Sequence, residues 1–276
     1  MKVKEQVMRW VFAETAAFSI AAVALICVFL FLNGLPFFTK YDLGAFLSGT
    51  TWKPANNIFG ILPMIVGSLY VTGGALLFGA PVGILAGIYL ARFCPKRLYS
   101  VLKPAVDLLA GIPSIVYGLF GMLFFVTQLH WGYSLIAGAF TLAIMVLPVI
   151  MRTTEEALIA VPDSYREGSF GLGAGKLRTV FTIVLPSAMP GILSGVILAT
   201  GRIVGETAAL IYTASSVAKI PTSVFSSTRT LAVHMYLLSN EGLYIGQTYG
   251  TAVVLLVLVL VINCLSGFLA GKLAKK

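Results

Sequence analysis

Charge is scarce in this chain of 276 residues, of which only 11% are Asp, Glu, Lys or Arg. Soluble domains carry roughly 25% charged residues. Hydrophobic residues instead make up 58% and the mean hydropathy is +0.96, which excludes an ordinary soluble enzyme and a disordered chain. Cysteine is also rare, and Cys27, Cys94 and Cys264 show no CxxC spacing, so a disulfide scaffold is excluded as well.

Histidines and nucleotide-binding motifs are equally sparse. His130 and His234 are far apart and neither belongs to an HExxH motif, so we expect no metal site. The stretch from Gly171 resembles a phosphate-binding loop, but Phe170 and Leu177 stand where that motif needs Gly and Ser or Thr. The sequence therefore predicts no catalytic residue, and no cofactor or metal bound by this chain.

The chain does contain long uncharged hydrophobic stretches, and a membrane-spanning helix needs about 20 such residues. Backbone polar groups in lipid must pair within the segment, which favours helices. A hairpin of two spans is predicted between Asp107 and Arg152, divided by the polar aromatic stretch 128–133. The other spans are predicted at residues 16–32, 64–91, 190–212 and 249–270. The predicted fold class is an all-α integral membrane protein with six transmembrane helices.

Lysine and arginine are unevenly distributed over the predicted connections. Most of them lie at the N-terminus, between the second and third spans, between the fourth and fifth spans, and in the tail. Positively charged connections stay in the cytoplasm, so both termini of this multi-pass chain are predicted to be cytoplasmic. The net charge of +9 thus indicates topology. We expect membrane lipid as a partner, and no nucleic acid.

Two features of the spans are ambiguous from sequence. The first span is interpreted as a retained helix and not as a signal peptide, because its apolar run is long and no A-x-A cleavage site follows it. Gly79, Gly83 and Gly87 repeat every fourth residue in the second span. Such spacing lets helices approach closely in lipid, either within one bundle, which we favour, or at a dimer interface.

The longest predicted cytoplasmic connection covers residues 152–189. Ser164 and Glu167 have the spacing of a capping box that opens a short helix after Pro162. Glycines then end this helix, and a second helical stretch at 176–185 runs to Pro186. A short helix held away from the membrane on such an elbow is suited to the groove of a partner protein.

This connection resembles the EAA–G–I-x-L-P loop of ABC-importer permeases, which docks on the ATPase subunit. The residues that match its positions are Glu167, Gly168, Ser169, Gly173, Ile183, Leu185 and Pro186. Gly168 and Ser169 replace the two alanines of the pattern, and both remain small. The resemblance implies that these residues couple the chain to a separate ATPase.

A pair of charges interrupts the fifth predicted span. Arg202 follows Pro190 by twelve residues, or about 18 Å along a helix, which places it near the bilayer middle. Glu206 is one turn further on the same predicted face, within reach of an ion pair. Intramembrane charges usually face a cavity, so an anion path is one interpretation and an internal salt bridge is the alternative.

The segment 201–214, which contains Gly-Glu-Thr-Ala at 205–208, is similar to the GETA segment of Pst phosphate permeases. Residues 111–121 look like the third-span segment of that family, and residues 231–236 resemble the PstA type more than PstC. The resemblance implies that Arg202, Glu206 and Thr207 lie on the transport path. Ala209 departs from the family, in which proline is frequent.

The resemblance implies a type I ABC-importer permease of the MetI-like fold, in the bacterial cytoplasmic (inner) membrane. Residues 1–63 would hold a cytoplasmic segment, the first helix and a periplasmic loop. Residues 64–272 would form the permease domain with the coupling loop, and 273–276 a cytoplasmic tail. The implied partners are a PstC-like permease, two PstB-like ATPase subunits that use ATP and Mg²⁺, and a PstS-like periplasmic phosphate-binding protein.

The function expected from this resemblance is that of the non-catalytic membrane subunit of an ATP-driven phosphate importer. An importer of another oxyanion, such as sulfate or molybdate, is the nearest alternative. A proton-coupled secondary transporter that uses Glu206 as a relay is a second alternative, and a membrane signalling or scaffold subunit is a third. Phosphate keeps a proton at neutral pH and sulfate does not, so we expect Glu206 to accept that proton while Arg202 pairs with the anion.

Overall fold

Helices make up nearly all of the computed structural model, which describes residues 2–273. Five single helices are long and apolar enough to cross a membrane, and one bent pair adds a sixth crossing if it counts as one span. The long helices are α1 (Lys2–Phe38), α3 (Leu62–Ile88), α6 (Leu135–Ile159), α9 (Leu185–Val204) and α12 (Ile245–Leu273). The predicted all-α membrane fold is confirmed. Residues 274–276 of the predicted tail lie outside the described residues.

Shorter elements connect the long helices. The helical ones are α2 (Leu43–Ser48), α4 (Lys96–Ala110), α5 (Ser114–Gly121), α7 (Asp163–Gly171), α8 (Lys176–Thr179), α10 (Ala208–Ile211) and α11 (Leu231–Glu241). Two very short strands, β1 (Trp52–Lys53) and β2 (Ile58–Phe59), pair antiparallel with Trp52 opposite Phe59. π-helical turns follow α3, α5 and α8. The connection between α1 and α3 and the one before α12 therefore carry local structure of their own.

The first half of the predicted hairpin is a bent pair and not one straight helix. Helix α4 already begins at Lys96, and the helical stretch Ser114–Gln128 leaves it at an angle of 96°. The bend lies at Gly111 and Pro113, where proline disfavours a helical conformation for the residue before it. Because α4 stands almost perpendicular to the next stretch, only the second part of the pair runs along the bundle.

Small residues bring the central helices close together. A Cβ atom at Gly83 of α3 would lie 2.9 Å from Cβ of Ile150, and one at Gly87 would lie 2.7 Å from the carbonyl oxygen of Met151. On the other side of α6, a Cβ at Gly195 of α9 would lie 2.6 Å from Cβ of Thr153. The glycine repeat thus packs within one bundle, as favoured from the sequence.

An aromatic cluster closes one end of the bundle, and we call it the outer cap. Its buried members are Phe46, Phe59, Ile61, Met64 and Leu231. The end of α1 joins the cap through Phe37. Further along, α1 lies against α12 but leaves most of its own side chains exposed. Helix α1 is thus attached at the periphery, while α3, α6 and α9 form the centre.

Candidate functional site

The connection between α6 and α9 contains two short helices, α7 and α8, which meet at a turn as predicted. We call residues 163–179 the elbow. The residue that caps α7 differs from the predicted one. Helix α7 begins at Asp163, and its N-cap is Pro162, with no side-chain cap bond. An N-cap residue needs a non-helical backbone, and Pro162 has it, so Ser164 lies inside the helix. Arg166 instead donates to Asp163 at 2.7 Å. The capping box of Ser164 and Glu167 is therefore wrong, and Glu167 is exposed.

Two contacts shape the turn of the elbow. Ser169 is buried, and its Oγ lies 2.9 Å from Oγ1 of Thr179, which links α7 to α8. Gly173 has a φ of +85°, a left-handed conformation that glycine adopts without strain. A Cβ at Gly168 would meet no atom within 4 Å. Ser169 therefore links the two helices of the elbow, whereas Gly168 is exposed.

The second half of the elbow continues directly into the membrane. Helical structure is continuous from Lys176 to Val204, so the predicted end at Pro186 is wrong. Pro186 sits in the first turn of α9, where its missing N–H is tolerated, and the preceding π-helical turn includes Ile183. Leu185 starts α9. Leu172 at the tip is 92% exposed, an apolar side chain available to a partner.

Arg202 lies in the last turn of α9, level with the middle of a neighbouring span. A Cβ at Gly191 would touch Ala157 of α6, and further along α9 Gly201 and Arg202 share a cavity with Val149. Because α6 runs from Leu135 to Ile159, Val149 is near its centre. This register places Arg202 level with the middle of α6, and its depth in the bilayer stays a prediction. Its side chain is exposed in the single chain.

Glu206 does not pair with Arg202. Helix α9 ends at Val204 and the chain unwinds before α10 begins at Ala208, so the two residues do not share one helical face. Glu206 is buried, and its Oε1 accepts a hydrogen bond of 3.2 Å from the backbone N–H of Ala209. The ion pairs found among the described residues do not include the two. The predicted pairing is wrong because the span is broken at 205–207.

The broken segment is packed tightly against α5. A Cβ at Gly118 would lie only 2.7 Å from Cα of Ala209. Thr207 is the N-cap of α10, and its hydroxyl makes a long contact of 3.4 Å with the carbonyl of Gly205. Irregular backbone at membrane depth is tolerated where it is buried in protein or lines a cavity. Thr207 is half-buried at the break itself.

Comparison with known proteins decides the family. The profile of the family described as "Binding-protein-dependent transport system inner membrane component" matches residues 83–276. The chain belongs to this family. It is 34% identical over 234 residues to a probable ABC transporter permease of Bacillus subtilis, YqgI, a match that covers 79% of the chain and 80% of the relative. It is 35% identical to the phosphate transport system permease PstA 1 of Mycobacterium tuberculosis, over 74% of the chain and 68% of the relative.

Solved structures agree on the fold of this permease. The methionine ABC transporter MetNI, in an inward-facing conformation, contains a chain that matches with a TM-score of 0.67 at 20% identity, over 81% of our chain and 99% of its own. A bacterial alginate importer matches with a TM-score of 0.66 at 16% identity, over 99% of both chains. The predicted MetI-like fold is confirmed.

Sequence reasoning missed a buried carboxylate in the permease. Glu155 of α6 is 1% exposed, and it accepts hydrogen bonds of 2.6 Å from Lys103 Nζ and from Tyr99 Oη, both on α4. These contacts fasten the amphipathic α4 to the end of α6. The one available signal is that Glu155 falls between the apolar positions Met151 and Leu158 on the helical repeat.

A second polar contact of the permease lies in the outer cap. Arg229 donates from Nη1 to Nδ1 of His234 at 3.1 Å and from Nε to the carbonyl of Ser216 at 2.5 Å. Trp52 meets the imidazole edge-on, with ring centroids 4.3 Å apart. Burial, with a smaller contribution from the charge of Arg229, lowers the pKa of His234 to about 3. The imidazole is therefore neutral and accepts from the guanidinium.

Proposed function

We propose that the chain is the PstA-like transmembrane permease subunit of an ATP-driven phosphate importer. The observation that carries the proposal is Arg202, which lies on a cavity level with the middle of α6, while Glu206 is turned away to α10. Arg202 forms no ion pair among residues 2–273, and an intramembrane cation of this kind suits an anion path. The similarity to phosphate permeases supports phosphate as the anion.

In this proposal the chain hydrolyses no ATP. ATP and Mg²⁺ are bound by two separate PstB-like ATPase subunits, and the elbow docks on one of them. The exposed Glu167, Gly168 and Leu172 present the contact surface, while Ser169 and Gly173 hold the shape of the elbow. Ile183, Leu185 and Pro186 carry the motion into α9, which ends in Arg202. A PstC-like permease completes the path, and a PstS-like binding protein delivers phosphate.

The proposed orientation has the elbow and both termini in the cytoplasm of a bacterial cell. The basic residues of α4 and of the elbow support it, since positively charged connections remain inside. The outer cap then faces the periplasm, where the binding protein docks. Residues 64–272 form the permease domain in this arrangement, and α1 is an additional peripheral anchor.

The test uses the complete transporter in proteoliposomes, with ATP inside and the binding protein outside. Arg202→Ala is expected to abolish ATP-driven phosphate uptake while the complex still assembles. Arg202→Lys is expected to retain part of it, because it keeps the charge and loses the bidentate geometry. Unchanged uptake by Arg202→Ala contradicts the path, and equal uptake of sulfate delivered the same way contradicts phosphate as the substrate.

The elbow has a separate test by co-purification. Glu167→Arg is expected to release the ATPase subunits while the permease still inserts, because it reverses a charge on the exposed face of α7. The matched control is Glu241→Arg, the same reversal at an exposed position at the end of α11. If the ATPase stays bound to Glu167→Arg and leaves Glu241→Arg, the proposed orientation is wrong.

A further inference from the structure

A cavity of about 630 Å³ lies between α6, α9 and α12, next to Arg202. Most of its lining is apolar, and the polar residues on it are Ser194, Arg202 and Asn263. Ser194 already donates to the carbonyl of Pro190 in its own helix, at 2.9 Å. Two polar side chains on different helices, Arg202 and Asn263, are therefore available to a molecule in the cavity.

Asn263 has an unusual position in α12. A Cβ atom at Gly201 would lie 3.8 Å from Oδ1 and 3.9 Å from Nδ2 of Asn263, so the amide lies over the residue that precedes Arg202. Its Oδ1 is buried and has no hydrogen-bond partner in the part of the chain that the structure describes. An unpaired acceptor within the membrane costs free energy that a leucine at this position would not. Packing alone does not explain the amide.

The two side chains offer complementary chemistry. Arginine supplies only N–H donors, whereas an asparagine Oδ1 is an acceptor. Sulfate has no proton at neutral pH and needs donors alone. Hydrogen phosphate presents oxygens that need donors and one P–O–H group that needs an acceptor. The carboxylate of Glu206 does not lie on this cavity, since it is occupied by the N–H of Ala209.

We infer that Asn263 completes the oxyanion site: its Oδ1 accepts the proton of hydrogen phosphate while the guanidinium of Arg202 pairs with the other oxygens. This inference rests on the proposed function and transfers the proton-recognition role from Glu206 to α12. The anion is held by two neighbouring helices, and small movements of α9 against α12 would separate the two groups. Such a site binds in one arrangement and releases in another.

The first experiment measures ATP-driven phosphate uptake by the complete transporter with Asn263→Leu, which keeps the volume and removes both hydrogen-bonding groups. We expect uptake to fall about tenfold, since a hydrogen bond to a charged group is worth at least that factor. The melting temperature is expected not to fall, because leucine at this position leaves no unpaired polar atom. The matched control, Cys264→Leu, changes the next residue, which is exposed, and is expected to transport normally.

The second experiment separates anion recognition from any structural effect. Cys27, Cys94 and Cys264 are replaced by alanine, and Ser194→Cys places one thiol on the cavity. Phosphate is expected to slow the reaction of this thiol with a negatively charged thiosulfonate reagent at concentrations about fivefold below those of sulfate. In Asn263→Leu the two anions are expected to protect equally, with protection by Arg202 alone.

The outcomes distinguish the two proposals. If the parent complex fails to import phosphate, the proposed function is wrong. If the parent imports phosphate but Asn263→Leu does so equally well, the inference is wrong and the function stands. Two results of the thiol assay would show that Asn263 does not recognise the proton. One is that phosphate keeps its advantage over sulfate in Asn263→Leu, and the other is that phosphate does not protect the Ser194→Cys thiol when Asn263 is present.

Discussion

Glycine has opposite uses in the centre of the bundle and in the elbow. In α3, a Cβ at Gly83 or Gly87 would collide with α6, so glycine there permits close helix packing. At Gly168 and Gly171 of the elbow, a Cβ would meet nothing within 4 Å. The central glycines are fixed by what they touch within the chain. The elbow glycines leave room for something outside it, and substitutions at the two sets are expected to fail in different assays.

The largest effect is expected from Gly87→Val. Its side chain would overlap the carbonyl of Met151 and the side chain of Thr154, which lie 2.7 Å from the position of a Cβ. Overpacking of this kind costs about 3 kcal/mol, so the melting temperature in detergent should fall sharply and little permease should assemble. Gly73→Val on the open side of the same helix is the control, and equal losses in both variants would contradict the proposed packing.

A second prediction probes the outer cap, which contains neither glycine set. The pKa of His234 is about 3 in the folded chain, against an ordinary value of 6.5. Below pH 6.5 the His234 imidazole binds a proton in the unfolded chain but stays neutral in the folded chain. The free energy of unfolding should therefore fall as the pH drops from 6.5 towards 3. The slope contributed by this residue is up to about 1.4 kcal/mol per pH unit.

Thermal unfolding in detergent between pH 7 and pH 5 measures this slope. His234→Gln removes the titration, so its melting temperature should depend less on pH than that of the parent. His130→Gln, at an exposed loop position, should keep the parental dependence. Identical pH profiles for the parent and for His234→Gln would show that this imidazole is not held neutral.

The smallest effect is expected within the elbow itself. Gly173→Ala places a side chain on a left-handed backbone with φ of +85°, at a cost of about 1 kcal/mol. A Cβ at Gly173 would meet no other atom within 4 Å, so the global melting temperature should hardly change. Because α7 and α8 meet at Gly173, the shape of the elbow should change and binding of the ATPase subunit should weaken about fivefold. Gly171→Ala, with ordinary backbone angles, should bind normally. Weaker binding by Gly171→Ala alone would mean that the outer surface matters more than the turn.

Much of the fold follows from hydropathy, because a span must be long and apolar. The apolar stretches predicted as spans lie on helices of the structure, although the fifth ends at Val204 and the third belongs to a bent pair. Hydropathy does not detect the unwinding at 205–207, because it depends only on residue type. The same sequence has the same hydropathy whether the span is broken or straight. The pairing of Glu206 with Arg202 failed for this reason. The coupling and transport roles of the individual site residues stay predictions.

Contacts between distant parts of the chain were equally out of reach. Glu155 meets Tyr99 and Lys103 across more than fifty residues, and a local pattern cannot show that such a carboxylate is buried. Similarly, Ser164 and Glu167 satisfy the spacing of a capping box, but Pro162 takes the cap position first. Local spacing predicts which pairs of side chains are able to interact. Whether they do depends on the backbone conformation nearby, in this case that of Pro162.

The contact between Gly118 and Ala209 has a mechanical consequence. With only 2.7 Å between Cα of Ala209 and the place of a Cβ at Gly118, α5 and α10 pack backbone against backbone at this point. Any tilt of α5 must carry the residues after Arg202 with it, and α4 is hinged to α5 at Pro113 while Glu155 ties it to α6. A movement of α6 at Glu155 is therefore expected to reach the residues after Arg202 through α4 and α5.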